Sequence, residues 1–397
     1  MGIGKHLISF YNNQKVNILN KNSVIDLIYS IKNASLLFLF ILFPYHLYNN
    51  SMKLYIFPAI IISFEIIYYL SYIMSRNIIE LVKKYSVFLG GAIFAIIMPF
   101  ILYIRSYLIL VVMIAILAFG GSIIDNWNNT YRRGNNITNV YTGIALAGIF
   151  ATIYFIHLNS IYIIFILSVL LGIFSIIYIL FTHQNINYKK TVLTKKLKRY
   201  IVSIGDIKRV RNGLELLYTI FINSLLYMAI ALILITIPLL AVKAGDINLI
   251  YRFVVISTAS FFTVFLGSMV KSKTFQGISF VSIFPLLIVI GFLISIKNTP
   301  LDLNISILFI PAVAFLVPGY RTYITRKFPG SEKYYVNKFT NFFSGIFLIT
   351  VPFIILTFIG FPMYAIIVEL LASLIALIMC LKFINYPEII PPAKYKN

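Results

Sequence analysis

Long apolar runs separated by short polar stretches dominate this chain. Twelve runs hold about 20 mainly apolar residues each, the length that an α-helix needs to cross the hydrocarbon core of a bilayer. We number them spans one to twelve: 26–48, 53–74, 86–104, 106–126, 138–158, 160–182, 214–241, 250–270, 276–296, 303–324, 339–360 and 362–384. The pattern predicts an all-α polytopic membrane protein with twelve transmembrane helices.

The composition excludes a soluble protein of this length. Of the 397 residues, 60% are apolar and only 11% are charged, against about 25% charged residues in typical soluble domains. The mean hydropathy is +0.95, so lipid must replace water as the solvent around most of the chain. The 33 basic residues outnumber the 11 acidic ones, but they lie in short runs between the apolar stretches. We therefore expect contacts with anionic lipid headgroups of the inner leaflet and no nucleic-acid partner.

The basic residues also orient the spans. With the N-terminus placed inside, 28 basic residues fall on the cytoplasmic side and 5 on the outer side, as the positive-inside rule requires. We expect a multi-pass protein of the plasma membrane with both termini in the cytoplasm. The outer connections contain only a few residues each, so no folded domain is expected outside.

A long basic connection divides the spans into two equal sets. Residues 183–213 carry nine of the basic residues and predict a cytoplasmic linker between residues 1–182 and residues 214–397. Six spans return the chain to its starting side, so a duplicated six-span unit gives parallel repeats about an axis along the membrane normal. The sequence therefore predicts two pseudo-symmetric six-helix bundles.

The ends of spans one and seven resemble a sequence that closes the first helix of each half in the major facilitator superfamily. They read Leu42-Phe43-Pro44-Tyr45-His46-Leu47-Tyr48 and Ile237-Pro238-Leu239-Leu240-Ala241. The connection after span two keeps the family's basic pair and glycine, and the connection after span eight keeps the glycine. The resemblance implies a secondary transporter that moves a small solute by alternating access through a central cavity between the halves, without a cofactor.

The resemblance also implies a cytoplasmic gate. The connections after spans two and eight, and those after spans four and ten, occupy equivalent places in the two halves. Where the family places an acidic residue that helps to close the inner side, this chain has Ser75 and Lys271. The residues predicted for the gate are Arg76, Lys83, Lys84, Gly90, Asp125, Arg132, Arg133, Gly267, Lys271 and Arg321.

A few polar side chains inside the spans are candidates for substrate binding or coupling. Glu65 in span two and Glu369 in span twelve are the acids well inside a span, where an ionised group costs about 2.5–3.5 kcal/mol. Glu65 either exchanges a proton with a transmembrane gradient or is a protonated packing residue, whereas Glu369 lies in a span that is peripheral in the family. Asn223 and Tyr227 in span seven and Thr258 in span eight either bind an uncharged substrate or hold helices together.

A membrane enzyme and a flippase are the two alternatives to a transporter. A membrane enzyme that holds Mg²⁺-diphosphate needs several carboxylates around its metals, and only Asp125 lies in a suitable loop. The zinc protease pattern His-Glu-x-x-His is absent from the sequence, so we expect no enzyme and no metal site. A flippase or exporter of lipid-linked saccharides shares the basic composition and stays open as the alternative. We expect a monomer that binds a small-molecule substrate.

Overall fold

In this computed structural model the described residues are 24, 28–29, 31–33, 35–36, 39, 43–44, 46–48, 53, 56–82, 85–101, 103–131, 160–182, 213–296, 300–328, 343, 350–351, 354–355 and 362–385. They are almost entirely α-helical. Ten helices have defined ends: α1 Ile56–Val82, α2 Ser86–Ile101, α3 Tyr107–Tyr131, α4 Ser160–Thr182, α5 Gly213–Lys243, α6 Ile247–Met269, α7 Lys273–Ile296, α8 Pro300–Leu308, α9 Ile310–Arg326 and α10 Met363–Ile384.

Nine of the twelve predicted spans coincide with these helices. Within the described residues, five helical stretches are long and apolar enough to cross a membrane: Tyr107–Asp125, Leu214–Lys243, Lys273–Ile296, Leu301–Arg326 and Met363–Ile384. Spans one and eleven are described only at scattered residues, and span five, 138–158, lies outside the described residues. The multi-pass membrane character follows from these helices, whereas the count of twelve stays a prediction.

Two helices differ from the predicted spans. Helix α1 continues to Val82, beyond the predicted end of span two at residue 74, because residues 75–82 contain no glycine or proline that would end the helix. Span ten is not one helix but two, α8 and α9, interrupted at Phe309. Pro311 at the start of α9 has no backbone N–H, so the hydrogen bond that this residue would donate within a continuous helix is missing at the interruption.

Neighbouring helices repeat between the two parts of the chain. Before the linker, the extensively packed pairs are α1 with α3, α2 with α3, and α2 with α4. After it, the corresponding spans pair in the same way, as α6 with α9, α7 with α9, and α7 with α10. Thus the contacts between spans two and four, three and four, and three and six recur between spans eight and ten, nine and ten, and nine and twelve.

Glycines allow two of these helix pairs to approach closely. A Cβ atom at Gly90 on α2 would lie 2.8 Å from the backbone oxygen of Gly120 on α3. A Cβ atom at Gly267 on α6 would overlap the backbone oxygen of Phe315 on α9. Small residues at such crossings are the usual basis of helix association in membranes, because lipid removes the hydrophobic driving force between helices.

Candidate functional site

A buried ion pair joins the first span to helix α3. The Nζ atom of Lys32 lies 2.5 Å from Oδ1 of Asp125, and the two side chains are 2% and 11% exposed. The hydroxyl of Tyr68 on α1 donates a hydrogen bond of 2.5 Å to Oδ2 of the same carboxylate. Each carboxylate oxygen is therefore held by a different helix. We call Lys32, Tyr68 and Asp125 the charged cluster.

Local sequence spacing positions the members of the charged cluster. Phe64, Tyr68 and Tyr72 follow one another four residues apart on α1, so their rings stack along one face of the helix. Lys32 lies one helical turn after Tyr29, and its Nζ atom is 4.7 Å from the centre of that ring, within cation–π range. Asp125 lies about 27 Å along α3 from its first residue, toward the end that the charge pattern places inside the cell.

The surroundings of the charged cluster are aromatic and apolar. Helix α2 packs against α3 and contains no ionisable residue. Trp127, two residues after Asp125, packs edge-on against Tyr178 of α4, with the ring centroids 5.8 Å apart. In such surroundings the attraction between Lys32 and Asp125 offsets the cost of removing both charges from water. Loss of either partner would leave the other charge buried without that attraction.

Most of the charged cluster escapes prediction from the sequence. Asp125 is among the predicted gate residues, but Lys32 and Tyr68 are not among the predicted site residues. The topology prediction counts Lys32 as one of the cytoplasmic basic residues, although Lys32 lies within span one. The usable signal is a lysine inside an apolar run, since such a residue in a membrane is expected to face a partner in the protein interior.

Glu369 on α10 is another buried acid inside a described helix. Its side chain is 0% exposed, and its Oε1 atom accepts a hydrogen bond of 2.9 Å from the hydroxyl of Ser373, one turn later. A Cβ atom at Gly291 on α7 would overlap Oε2, so the carboxyl group fits directly against the α7 backbone. The described residues provide no ion pair for Glu369.

The four predicted substrate and coupling residues lie on three helices. Glu65 is half-buried on α1, one turn before Tyr69. Asn223 is buried and Tyr227 is half-buried on α5. Thr258 is part of α6, and its side chain lies outside the described residues. Their role in binding or coupling stays a prediction.

The predicted gate residues separate into three groups. Gly90 and Gly267 lie at the close helix crossings described above, and Asp125 lies in the charged cluster. Lys271, in the connection between α6 and α7, and Arg321 on α9 are exposed. The backbone of Arg76 belongs to α1, but its side chain lies outside the described residues, as do the following residues entirely: Lys83, Lys84, Arg132 and Arg133.

Comparison with solved structures connects this helix arrangement to known transporters. A crystal structure of the nucleoside transporter NupG is similar to the chain with a TM-score of 0.60 and 13% identity, covering 93% of this chain and 99% of the other. Two crystal structures of the peptide transporter POT, one of them with bound sulfate, give TM-scores of 0.58 and 0.56 at 13% identity. They cover 91% and 92% of this chain and 95% and 93% of the others. The chain therefore shares the fold of these transporter structures.

At 13% identity the likeness to these transporters is one of fold alone. No family model and no curated protein matches the sequence itself, so the likeness lies in the three-dimensional structure. Within the part of the chain that the structure describes, no three His, Cys, Asp or Glu side chains come together as a metal site.

A second group of basic side chains lies near the end of span ten. Lys327, which is buried, donates a hydrogen bond of 2.9 Å to the backbone oxygen of Phe383 in the last turn of α10, and its Nζ atom lies 4.6 Å from the Phe383 ring centre. Arg326 donates to Oε1 of Gln276 on α7 at 3.2 Å. These contacts hold the end of α9 against α7 and α10, the helices of its own part of the chain.

Proposed function

We propose that the chain is a membrane transporter that moves a small polar solute by alternating access between two halves. The observation that carries the proposal is the joint occurrence of the transporter fold and a buried ionic cluster inside its spans. Charged side chains inside a membrane are costly, and where they occur they commonly mark substrate or ion pathways. Lys32 and Asp125 lie within spans one and four, near the ends that the charge pattern places inside the cell.

The proposed halves are residues 1–182 and 214–397, joined by the cytoplasmic linker 183–213. Support comes from the helix pairs that recur on either side of the linker, since a duplicated unit repeats its internal contacts. The pairs with the most extensive packing all join helices from the same side of the linker. Such halves can rock as units about a site between them, which is the movement that alternating access requires.

The solute is proposed to be small and polar. The similar structures are named as transporters of peptides and of nucleosides, two classes that are recognised by hydrogen bonds and by charge. Asn223, Tyr227 and Thr258 are proposed to bind the solute, and Glu65 is the carboxylate that the sequence predicts for proton coupling. The residues predicted for the cytoplasmic gate keep that proposed role, with the plasma membrane as the proposed location.

Uptake into proteoliposomes tests the proposal. The purified protein would be reconstituted and offered radiolabelled dipeptides, nucleosides, sugars and amino acids, with and without a pH gradient, against protein-free liposomes. Saturable uptake of one class is expected. A fluorescent lipid-linked saccharide serves as the competing arm. Movement of that lipid between leaflets, with no uptake of any soluble solute, would replace the transporter by the flippase.

A further inference from the structure

Basic side chains gather at one end of helices α7, α9 and α10. Lys271 and Lys273 lie at the start of α7, Arg326 lies in the last turn of α9, and Lys382 lies in the last turn of α10. The three lysines are exposed and the arginine is half-buried. We call these four side chains the inner basic surface, because the charge pattern places this end of the helices inside the cell.

A single glutamine connects the basic residues of α7 and α9. The side chain of Gln276 on α7 is buried, and its Nε2 atom donates to the backbone oxygen of Lys271 at 3.5 Å. Its Oε1 atom accepts a hydrogen bond of 3.2 Å from Arg326. The guanidinium group is therefore held beside the start of α7.

The end of α9 is also fixed against α10. Lys327 donates to the backbone oxygen of Phe383 at 2.9 Å, and Lys382 is the residue before Phe383. The charged groups of Arg326 and Lys327 lie 5.5 Å and 5.6 Å from the centre of the Tyr323 ring, within cation–π range. The basic residues of all three helices thus belong to one region that side-chain contacts hold together.

Acidic residues are scarce around the inner basic surface. The sequence has no aspartate or glutamate at residues 247–301 or 303–331. Glu369 on α10 lies about 20 Å along the helix from Lys382, and Glu215 on the neighbouring α5 is buried. Within the described residues, no acidic side chain forms a salt bridge with any of the three lysines. The surface therefore attracts a negatively charged ligand.

Exposed apolar side chains border the inner basic surface. Val270 directly precedes Lys271, Leu381 directly precedes Lys382, and Ile278 lies in the second turn of α7; the three apolar side chains are exposed. A ligand bound here meets positive charge and apolar surface side by side. This combination fits a molecule with an anionic headgroup and acyl chains better than it fits a free anion.

We propose that the inner basic surface binds the phosphate group of one anionic phospholipid. The lysines of α7 and α10 approach the phosphate from two helices, and the acyl chains lie along Ile278 and Leu381. Basic pockets between transmembrane helices on the cytoplasmic side are suited to acidic lipid headgroups. The sequence indicates anionic-lipid contacts along the whole inner face, whereas the structure assigns one of them to a defined place. The proposal goes beyond transport, because the bound lipid joins the ends of α7 and α10 whichever solute is moved.

Lipid binding to the purified protein tests the site. The protein in neutral detergent micelles would be titrated with phosphatidylglycerol or with phosphatidylcholine of the same acyl chains, and bound lipids would be counted by native mass spectrometry. The first phosphatidylglycerol is expected to bind about tenfold more tightly than the first phosphatidylcholine. Equal binding of the two lipids by the wild type would overturn the proposal.

Soluble phosphates separate a lipid site from a site for a free anion. Inorganic phosphate and glycerol 3-phosphate carry the negative charge without the acyl chains. At the same concentration as the lipid, neither is expected to displace bound phosphatidylglycerol. Displacement by either one would assign the surface to a soluble anion and contradict the lipid site.

A triple variant tests the position of the site. The substitutions are Lys271→Gln, Lys273→Gln and Lys382→Gln. They remove three exposed charges and leave the side-chain contacts of Gln276 and Lys327 in place, because Lys271 contributes only its backbone to them. The variant is expected to lose most of the preference for phosphatidylglycerol. A preference equal to that of the wild type would overturn the proposal.

A second triple variant controls for net charge. The substitutions are Lys53→Gln, Lys243→Gln and Arg252→Gln, at exposed positions that the charge pattern places outside the cell. This variant is expected to keep the preference of the wild type. An equal loss in both variants would show a response to net charge alone and would overturn the site. The comparison of the two lipids on the wild type needs no variant, and none of these measurements needs a transported solute, so their outcomes are independent of the proteoliposome experiment.

Discussion

The two parts of the chain use different chemistry to hold similar helix pairs together. In the first, spans one, two and four meet at the ion pair of Lys32 with Asp125, supported by the Tyr68 hydroxyl. In the second, the equivalent contact of α6 with α9 is made by the backbone approach at Gly267 and by a hydrogen bond of 2.9 Å from Thr263 to the Pro311 oxygen. One contact depends on charge and the other on small, neutral groups.

The comparison indicates that the first part contains charged groups where the second part contains neutral ones. Neutral groups are sufficient to join α6 to α9, whereas the carboxylate of α3 that accepts a hydrogen bond from Tyr68 of α1 is also paired with Lys32 of span one. A buried ion pair often contributes little net stability, because desolvation offsets the attraction. The charges in the first part are therefore not explained by stability alone, whereas the contacts of α6 with α9 are those of neutral packing.

Removal of one member of the ion pair should give the largest loss of stability. Asp125→Ala leaves Lys32 buried without its counter-charge, so the free energy of unfolding should fall by about 3–5 kcal/mol. The measurement is unfolding in mixed detergent micelles. The double variant Lys32→Met with Asp125→Leu should recover most of the loss. An equal loss in the double variant would show that packing, not charge, dominates the first part.

Substitution of the glycine at the α6 and α9 crossing should rank second. Gly267→Ala places a methyl group against the Phe315 backbone, which cannot move as a side chain can, so a cost of about 1–3 kcal/mol is expected. Gly277→Ala is the matched control, since among the described residues no heavy atom beyond its chain neighbours and its own helix backbone lies within 4 Å of its Cβ position. If both variants unfold alike, the crossing is not the contact that holds these helices.

The buried acids Asp125 and Glu369 should respond differently to the change from carboxylate to amide. Glu369→Gln keeps an oxygen that can accept the Ser373 hydrogen bond, so the free energy of unfolding should change by no more than about 1 kcal/mol. Asp125→Asn removes the counter-charge of Lys32 and should cost several times as much. If both substitutions lower the free energy of unfolding equally, the first part does not depend on charge more than the second part does.

The smallest loss in the free energy of unfolding is expected for a substitution at Thr263. Thr263→Val removes the hydrogen bond to Pro311 between α6 and α9 but keeps the shape of the side chain, and such bonds contribute about 0.6 kcal/mol. Thr322→Val is the control, because the Thr322 hydroxyl bonds only to Pro318 of its own helix. A loss above about 2 kcal/mol at Thr263 would mean that this part also depends on a polar contact.

The sequence allows the helices to be predicted much better than the site. Run length and hydropathy are local properties, so α2 and α4 begin where spans three and six were predicted to begin. Prolines predict helix ends less well than run length does, because Pro99, Pro238 and Pro285 lie inside helices while Pro311 begins one. Neighbouring groups can satisfy the hydrogen bonds that a proline leaves open within a membrane.

The charged cluster could not be assembled from the sequence for a different reason. Lys32 and Asp125 are 93 residues apart, and their contact depends on how span one packs against α3. Tyr68 is one of 28 tyrosines, and only the three-dimensional structure shows which of them reaches the carboxylate. The fold-level resemblance gave no help here, since the family's motifs mark loops and helix ends.

Distances across the two membrane faces test the central claim of alternating access most directly. Spin labels would be attached in a Cys380→Ser background to one outer pair, Tyr48→Cys with Lys243→Cys, and to one inner pair, Tyr85→Cys with Lys271→Cys, all four being exposed positions. Double electron–electron resonance would then compare neutral and acidic pH. Opposite changes are expected, with one pair moving apart as the other moves together. Unchanged distances, or both pairs moving in the same direction, would contradict the account.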